Sequence, residues 1–141
     1  MSIPAILLPL FVEVILTFVL LLWLGHLRGK DIRSGATRLS QIALREPNWP
    51  PRTLQAAYSF SNQFELPVLF YVLTILEIIT RHADFVFVVL AWIFVAMRLG
   101  QAYVHITSNA VLRRGGFYIA GAFVLMAMWM IFMVRILLGL P

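Results

Sequence analysis

The chain has 141 residues, 62% of them hydrophobic and only 12% charged, with a net charge of +5 at pH 7. A soluble domain carries about twice that charged fraction, so an ordinary water-soluble fold is excluded. There is no cysteine, which excludes disulfides, thiolate metal sites and a protein-borne thiol nucleophile. Four long apolar stretches follow, at roughly 4–26, 54–80, 84–107 and 115–138. Each is long enough to cross about 30 Å of hydrocarbon as a helix. Together they use most of the chain, so one all-α membrane domain, a four-helix bundle over residues 1–141, is expected.

The first stretch lacks a basic leader, carries Glu13, and runs too long before a small-residue cleavage site, so it reads as a retained span rather than a signal peptide. The segment after it, residues 27–53, holds Arg28, Lys30, Arg33, Arg38, Arg45 and Arg52 against Asp31 and Glu46. Arg113 and Arg114 make the third connection basic too, whereas RHAD, the second, is short and nearly neutral. The positive-inside rule then puts the first and third loops in the cytoplasm and both termini outside. Within the first loop, SGATRLSQIALR places Leu39, Ile42 and Ala43 on one face of a short helix. That helix suits either anionic headgroups or a lid over the bundle mouth. NWPP ends it, and Trp49 is an expected interfacial anchor.

The second and third spans each contain a charge at bilayer depth, Glu65 and Arg98. Such a charge costs several kcal/mol unless paired or facing a wet cavity. Glu65 lies 15 residues before Thr80, and Arg98 lies 14 residues after Asp84. At 1.5 Å per residue both sit about 21–23 Å from the outer ends, so antiparallel neighbours bring them side by side. Tyr58, Asn62 and Glu65 share one helical face, and so do Arg98, Gln101 and His105. Pairing by depth sets Glu65 against Arg98, Asn62 against Gln101 and Tyr58 against His105. A polar pocket in the cytoplasmic half is the expectation, against the simpler alternative of polar contacts that only fix helix register. Pro67 leaves the Gln63 carbonyl without its amide partner, which predicts a kink beside Glu65.

Near the outer surface, Glu77 and Arg135 are at matching depths and can pair if the second and fourth spans touch. Glu13, one turn before Thr17, has no assigned partner. LRRGGFY opens the fourth span, with Arg113 and Arg114 preceding a helix N-terminus that already favours anions. Ordinary topological anchoring accounts for the two arginines equally well. Tyr118 lies one turn beyond Arg114. Gly116 and Ala120 form a small-xxx-small pair that permits close helix approach, within the chain or between subunits.

NQFELP, R-x-x-Q-x-x-x-H and RRGGFY, set in four spans with a basic first loop, resemble the MAPEG family, membrane-associated proteins in eicosanoid and glutathione metabolism, in a bacterial branch. The resemblance covers nearly the whole chain. It implies homotrimers with glutathione bound between subunits near the cytoplasmic side. Arg114 matches the arginine that stabilises the glutathione thiolate, and Tyr118 a tyrosine one turn later. Asn62, Glu65 and Arg98 match residues lining the site, with Gln101 and His105 on the same stripe. The chain departs from the family's R-A-H-x-N pattern, having Tyr58-Ser59-Phe60-Ser61 before Asn62, and has His105 where a tyrosine is common. Recognition of glutathione carboxylates then falls to Arg52, Arg113 or a first-loop arginine.

The resemblance thus implies a glutathione-dependent transferase or peroxidase acting on a lipophilic small molecule in a bacterial inner membrane. The alternative is a non-catalytic trimer that binds an anionic lipid or amphiphile. A small pore using Glu65 and His105 is the weakest reading, because the chain is short and lacks a visible internal repeat. Nucleic acid is not an expected partner, since topology accounts for the basic residues.

Overall fold

Ser2 caps the first helix, α1 (Ile3–Arg33), its hydroxyl accepting from the Ala5 amide at 3.4 Å. The structure is a computed structural model describing residues 1–141. After α1 come a single 3-10 turn at Leu39–Gln41, then α2 (Pro51–Asn62), α3 (Leu66–Ile79), α4 (Phe85–Ile106) and α5 (Val111–Leu137). The protein is all-α. Four helical spans are long and apolar enough to cross a membrane: Ile3–Arg33, Pro51–Ile79, Phe85–Ile106 and Val111–Leu137. Large side chains such as Leu22, Ile79 and Phe123 are exposed, which in water would be a liability and in lipid is the normal outer surface.

The first helix runs past residue 26 to Arg33 because nothing breaks it until Gly35, whose φ of +78° supplies the left-handed turn. Lys30 and Arg33 occupy its last turn, where cations favour the helix dipole. The expected amphipathic helix in the first loop is reduced to one 3-10 turn, with Leu39 and Leu44 exposed. Side chains capture its backbone instead. The Gln41 carboxamide oxygen accepts from the Arg38 amide at 2.8 Å, and Asn48 Nδ2 donates to the Gln41 carbonyl at 2.6 Å. Thr37 Oγ1 donates to the Asn48 carbonyl at 3.1 Å. Such local bonds compete with helix formation. Thr53 on α2 bonds Asp31 on α1 and anchors the loop's two ends.

The second span is broken rather than merely kinked. Residues 63–65 make i→i+3 bonds, from Gln63 to Phe60 at 3.0 Å, Phe64 to Ser61 at 3.0 Å and Glu65 to Asn62 at 3.3 Å. Pro67, at the start of α3, cannot donate back across the break.

Two apolar clusters flank this level. The larger packs Ile6, Phe70, Leu73, Phe94, Leu125 and Met128 among others, with the Phe70 and Phe94 rings 4.9 Å apart. The smaller joins Leu24, Leu27 and Ala56 at the loop end. Between them lie buried Glu13, Gln63, Arg98 and Gln101.

The α3–α4 turn is closed by a Schellman arrangement. His82 donates to the Glu77 carbonyl at 2.9 Å and Arg81 to Ile78 at 3.1 Å, with Arg81 at a φ of +59°. Asp84 then caps α4, accepting from the Phe87 amide at 2.9 Å, and its second oxygen takes Arg135 Nη1 at 3.0 Å. This corrects the expected Glu77–Arg135 pair. Asp84 stands nearer the end of α5 than the side chain of Glu77, which is buried with one oxygen unpartnered. Asp84→Ala is therefore expected to lower unfolding stability by about 1–2 kcal/mol, mostly through the lost cap. Asp84→Asn, which retains the cap, should lose less than about 1 kcal/mol. Thermal melts of both variants in one detergent check the ranking.

Candidate functional site

The end of α4 and the start of α5 are brought together by a tight crossing. A Cβ on Gly100 would lie 2.7 Å from the Phe117 ring, so only glycine lets the ring seat there. Gly121 sits at ordinary distance, its Cβ position 3.5 Å from Met97. Between the two helices, Asn109 takes a φ of +50°, which asparagine tolerates, and donates its amide to the Val104 carbonyl at 2.7 Å. The chain reverses there, and α5 begins at Val111.

Arg113 and Arg114 consequently lie inside the first turns of α5 rather than before it. The two diverge: Arg113 is exposed, while Arg114 is half-buried and bonded to Asn109 Oδ1 at 2.7 Å. Ala110 provides no side-chain cap, so the first amides of α5 keep free donors. Asn109, which fixes the guanidinium, escaped the sequence reading. The polar run T-S-N before a helix was the available signal.

A cavity of about 500 Å³ opens beside Arg114, lined by Tyr58 and Asn62 from α2, Gln101 and His105 from α4, and Arg114 and Tyr118 from α5. Gly115 and Ile119 complete the wall. Arg114 is the one guanidinium among its lining residues, and the imidazole Nδ1 of buried His105 has no partner. The cavity offers hydroxyl, carboxamide, imidazole and guanidinium groups, a set that accommodates an anion with several polar attachments.

The other anticipated residues lie elsewhere. Arg98 is 1% exposed and sits behind the cavity. Its Nη1 bonds the Gln101 side-chain oxygen and its Nη2 donates to the Asn62 carbonyl at 3.1 Å, while Nε is unpartnered. It thereby ties two lining residues from different helices. Glu65 is exposed, with no ion pair to Arg98, because the break at 63–65 turns it away from the face of Asn62. Arg52 covers the Trp23 ring at 5.0 Å and does not line the cavity. Glu13, wholly buried with both oxygens unpartnered, is within electrostatic reach of Arg98. No group of acidic, histidine or cysteine side chains is arranged to hold a metal.

A bundle of four membrane-crossing spans with a polar cavity at one end defines an integral membrane protein whose site is built from three helices. The sequence matches the MAPEG family model over residues 6–134, and the chain belongs to that family. Neither curated proteins nor solved structures yield a match.

Proposed function

We propose that the protein is a glutathione-dependent transferase or peroxidase acting on lipophilic electrophiles. The observation that supports it is the convergence of Arg114, Tyr118, Asn62 and Gln101 on one polar cavity that opens at the bundle surface. Its size suits a small molecule. Glutathione would supply the sulfur, since the chain has none to offer as a thiol. Arg114, pinned by Asn109, is placed to stabilise an anionic sulfur, as a nearby guanidinium does. Tyr58 and Tyr118 offer hydroxyls, and Arg113, exposed and next in the chain to Arg114, is the cation this reading assigns to a glutathione carboxylate.

The reading includes a homotrimer with the cavity facing the cytoplasm, both termini outside, in a bacterial inner membrane. The face of α5 that carries Gly116 and Ala120 supports assembly: both are exposed, and no group lies within 4 Å of a Cβ built on Gly116. Small residues on a bare membrane face allow a second helix to approach closely. The basic first and third loops support the orientation.

The test is a thermal melt of the detergent-purified protein with and without millimolar glutathione. Binding to the folded state must raise the melting temperature. The expected result is a rise in the wild type and none in Arg114→Ala. No rise in a well-folded wild type overturns the proposal.

A further inference from the structure

His105 lines the cavity but has no task in the reading above. It stands on α4 one turn beyond Gln101, on the same helical face. The side chain is buried, and its Nδ1 is sealed in the protein with no partner. Nε2 is not sealed in this way, and is the nitrogen through which the ring meets the cavity. The charged groups within electrostatic reach of the ring are Arg114 on α5 and Arg98 on α4. The rest of the polar lining is the hydroxyls of Tyr58 and Tyr118 and the carboxamides of Asn62 and Gln101, with no carboxylate among them.

The asymmetry between the two ring nitrogens fixes the tautomer. A neutral imidazole has one N–H and one lone pair. Proteins leave a buried N–H unpaired less often than a buried acceptor. The proton therefore belongs on Nε2, at the cavity, and the lone pair on Nδ1, in the packed interior. Gln101 has the same polarity. Its side-chain oxygen is taken by Arg98 Nη1, so its amide N–H groups are what it has left to offer. Arg114 spends Nη1 on Asn109 and keeps its other N–H groups. Three side chains of α4 and α5 thus turn donors toward one space.

We propose that His105 donates a hydrogen bond from Nε2–H to the anion that Arg114 binds, which, on the reading above, on which this inference rests, is the glutathione thiolate. The ring neither takes nor gives a proton. The thiol proton leaves to water through the cavity mouth, and the sulfur then accepts from the guanidinium and from Nε2–H. Arg114 supplies the charge. His105, held by burial on a helix rather than by a flexible stem, supplies the direction, so the sulfur is kept at one point on the wall. A hydrogen bond to an ionised acceptor is stronger than one between neutral groups, so this donor favours the thiolate over the thiol.

The first test needs no ligand. Heteronuclear NMR of the full-length protein in detergent, with isotope-labelled histidine, reads the tautomer, the His105 signals being assigned by their loss in His105→Gln. A neutral ring protonated on Nε2 is expected, and protonation on Nδ1 overturns the proposal. The second test titrates bound glutathione by its ultraviolet thiolate absorbance and follows conjugation beside it. His105→Leu, which fills the space but cannot donate, is expected to raise the thiol titration by about one pH unit and slow conjugation roughly tenfold. His105→Gln, whose amide nitrogen stands near the position of Nε2, should stay within roughly threefold of the wild type. An unshifted titration in His105→Leu overturns the proposal. So does a His105→Gln variant as impaired as His105→Leu, because an amide replaces a donor but not a base. Should His105→Leu fail to fold, the tautomer and the His105→Gln activity decide. Failure of the wild type to bind glutathione overturns the thiol reading and this inference together, whereas binding with either adverse result overturns this inference alone.

Discussion

Arg114→Ala is expected to slow conjugation of a lipophilic electrophile by roughly 100-fold or more, the loss that follows removal of one preorganised group that stabilises developing or resident negative charge. The structure makes Arg114 the place to look because it is the cavity's guanidinium, held by Asn109 rather than swinging freely. Arg114→Lys should be an intermediate case, retaining charge but not the planar fork that Asn109 engages. Asn109→Ala should lower activity less than Arg114→Ala, since it frees the guanidinium without deleting it. Glutathione conjugation followed in detergent, with kcat and KM separated, checks the series. Equal activity in Arg114→Ala and wild type would remove Arg114 from the chemistry.

The second large effect concerns stability. Arg98→Met is expected to cost about 3 kcal/mol. Hydrogen bonds between membrane helices are individually worth under about 1 kcal/mol on average, and of the two made by Arg98 only that to Asn62 crosses helices, so they do not account for that sum. The remainder comes from what is left behind. Glu13 is wholly buried and would lose the cation within its reach, and the Gln101 oxygen would lose its donor. Glu13→Gln combined with Arg98→Met should then recover part of the loss, which a double-mutant cycle by unfolding in mixed detergent micelles measures. Additive losses in the cycle would show that Glu13 and Arg98 are not coupled. Because Arg98 also joins Asn62 to Gln101, the single variant should loosen the cavity wall and raise KM for a bound thiol more than it lowers kcat.

Much of this architecture was legible from periodicity and charge. The four apolar runs gave the spans, and the i, i+3, i+4 and i+7 spacings of polar residues placed Tyr58 and Asn62 opposite Gln101 and His105, which the cavity gathers. Glu65 was not legible, because alignment by depth assumes a continuous helix. Three residues in i→i+3 geometry shift everything after Asn62 around the axis, and Arg98 meets the Asn62 backbone instead of the Glu65 carboxylate. Pro67 announced a disturbance without its size. Likewise the sequence grouped Arg113 with Arg114, and only the start of α5 at Val111 separates an exposed side chain from one aimed at the cavity. Arg135 chose Asp84 over Glu77 because the Schellman turn at Arg81 carries Asp84 toward the end of α5, a geometry that no depth count supplies.

The broken second span has a consequence for how the protein is made. Pro51–Ile79 is the least apolar of the four spans and carries the interruption at 63–65. In hydrocarbon, a helix break exposes backbone groups that only protein can satisfy. The Asn62 carbonyl, which has only the Glu65 amide at 3.3 Å from its own span, takes a second donor from Arg98, which is synthesised later in the chain. Arg98 is itself a poor passenger in lipid until Asn62 and Gln101 receive it. The second and third spans are therefore expected to leave the insertion machinery as a docked hairpin. The tight turn from Thr80 to Asp84 keeps the two close enough for that exchange.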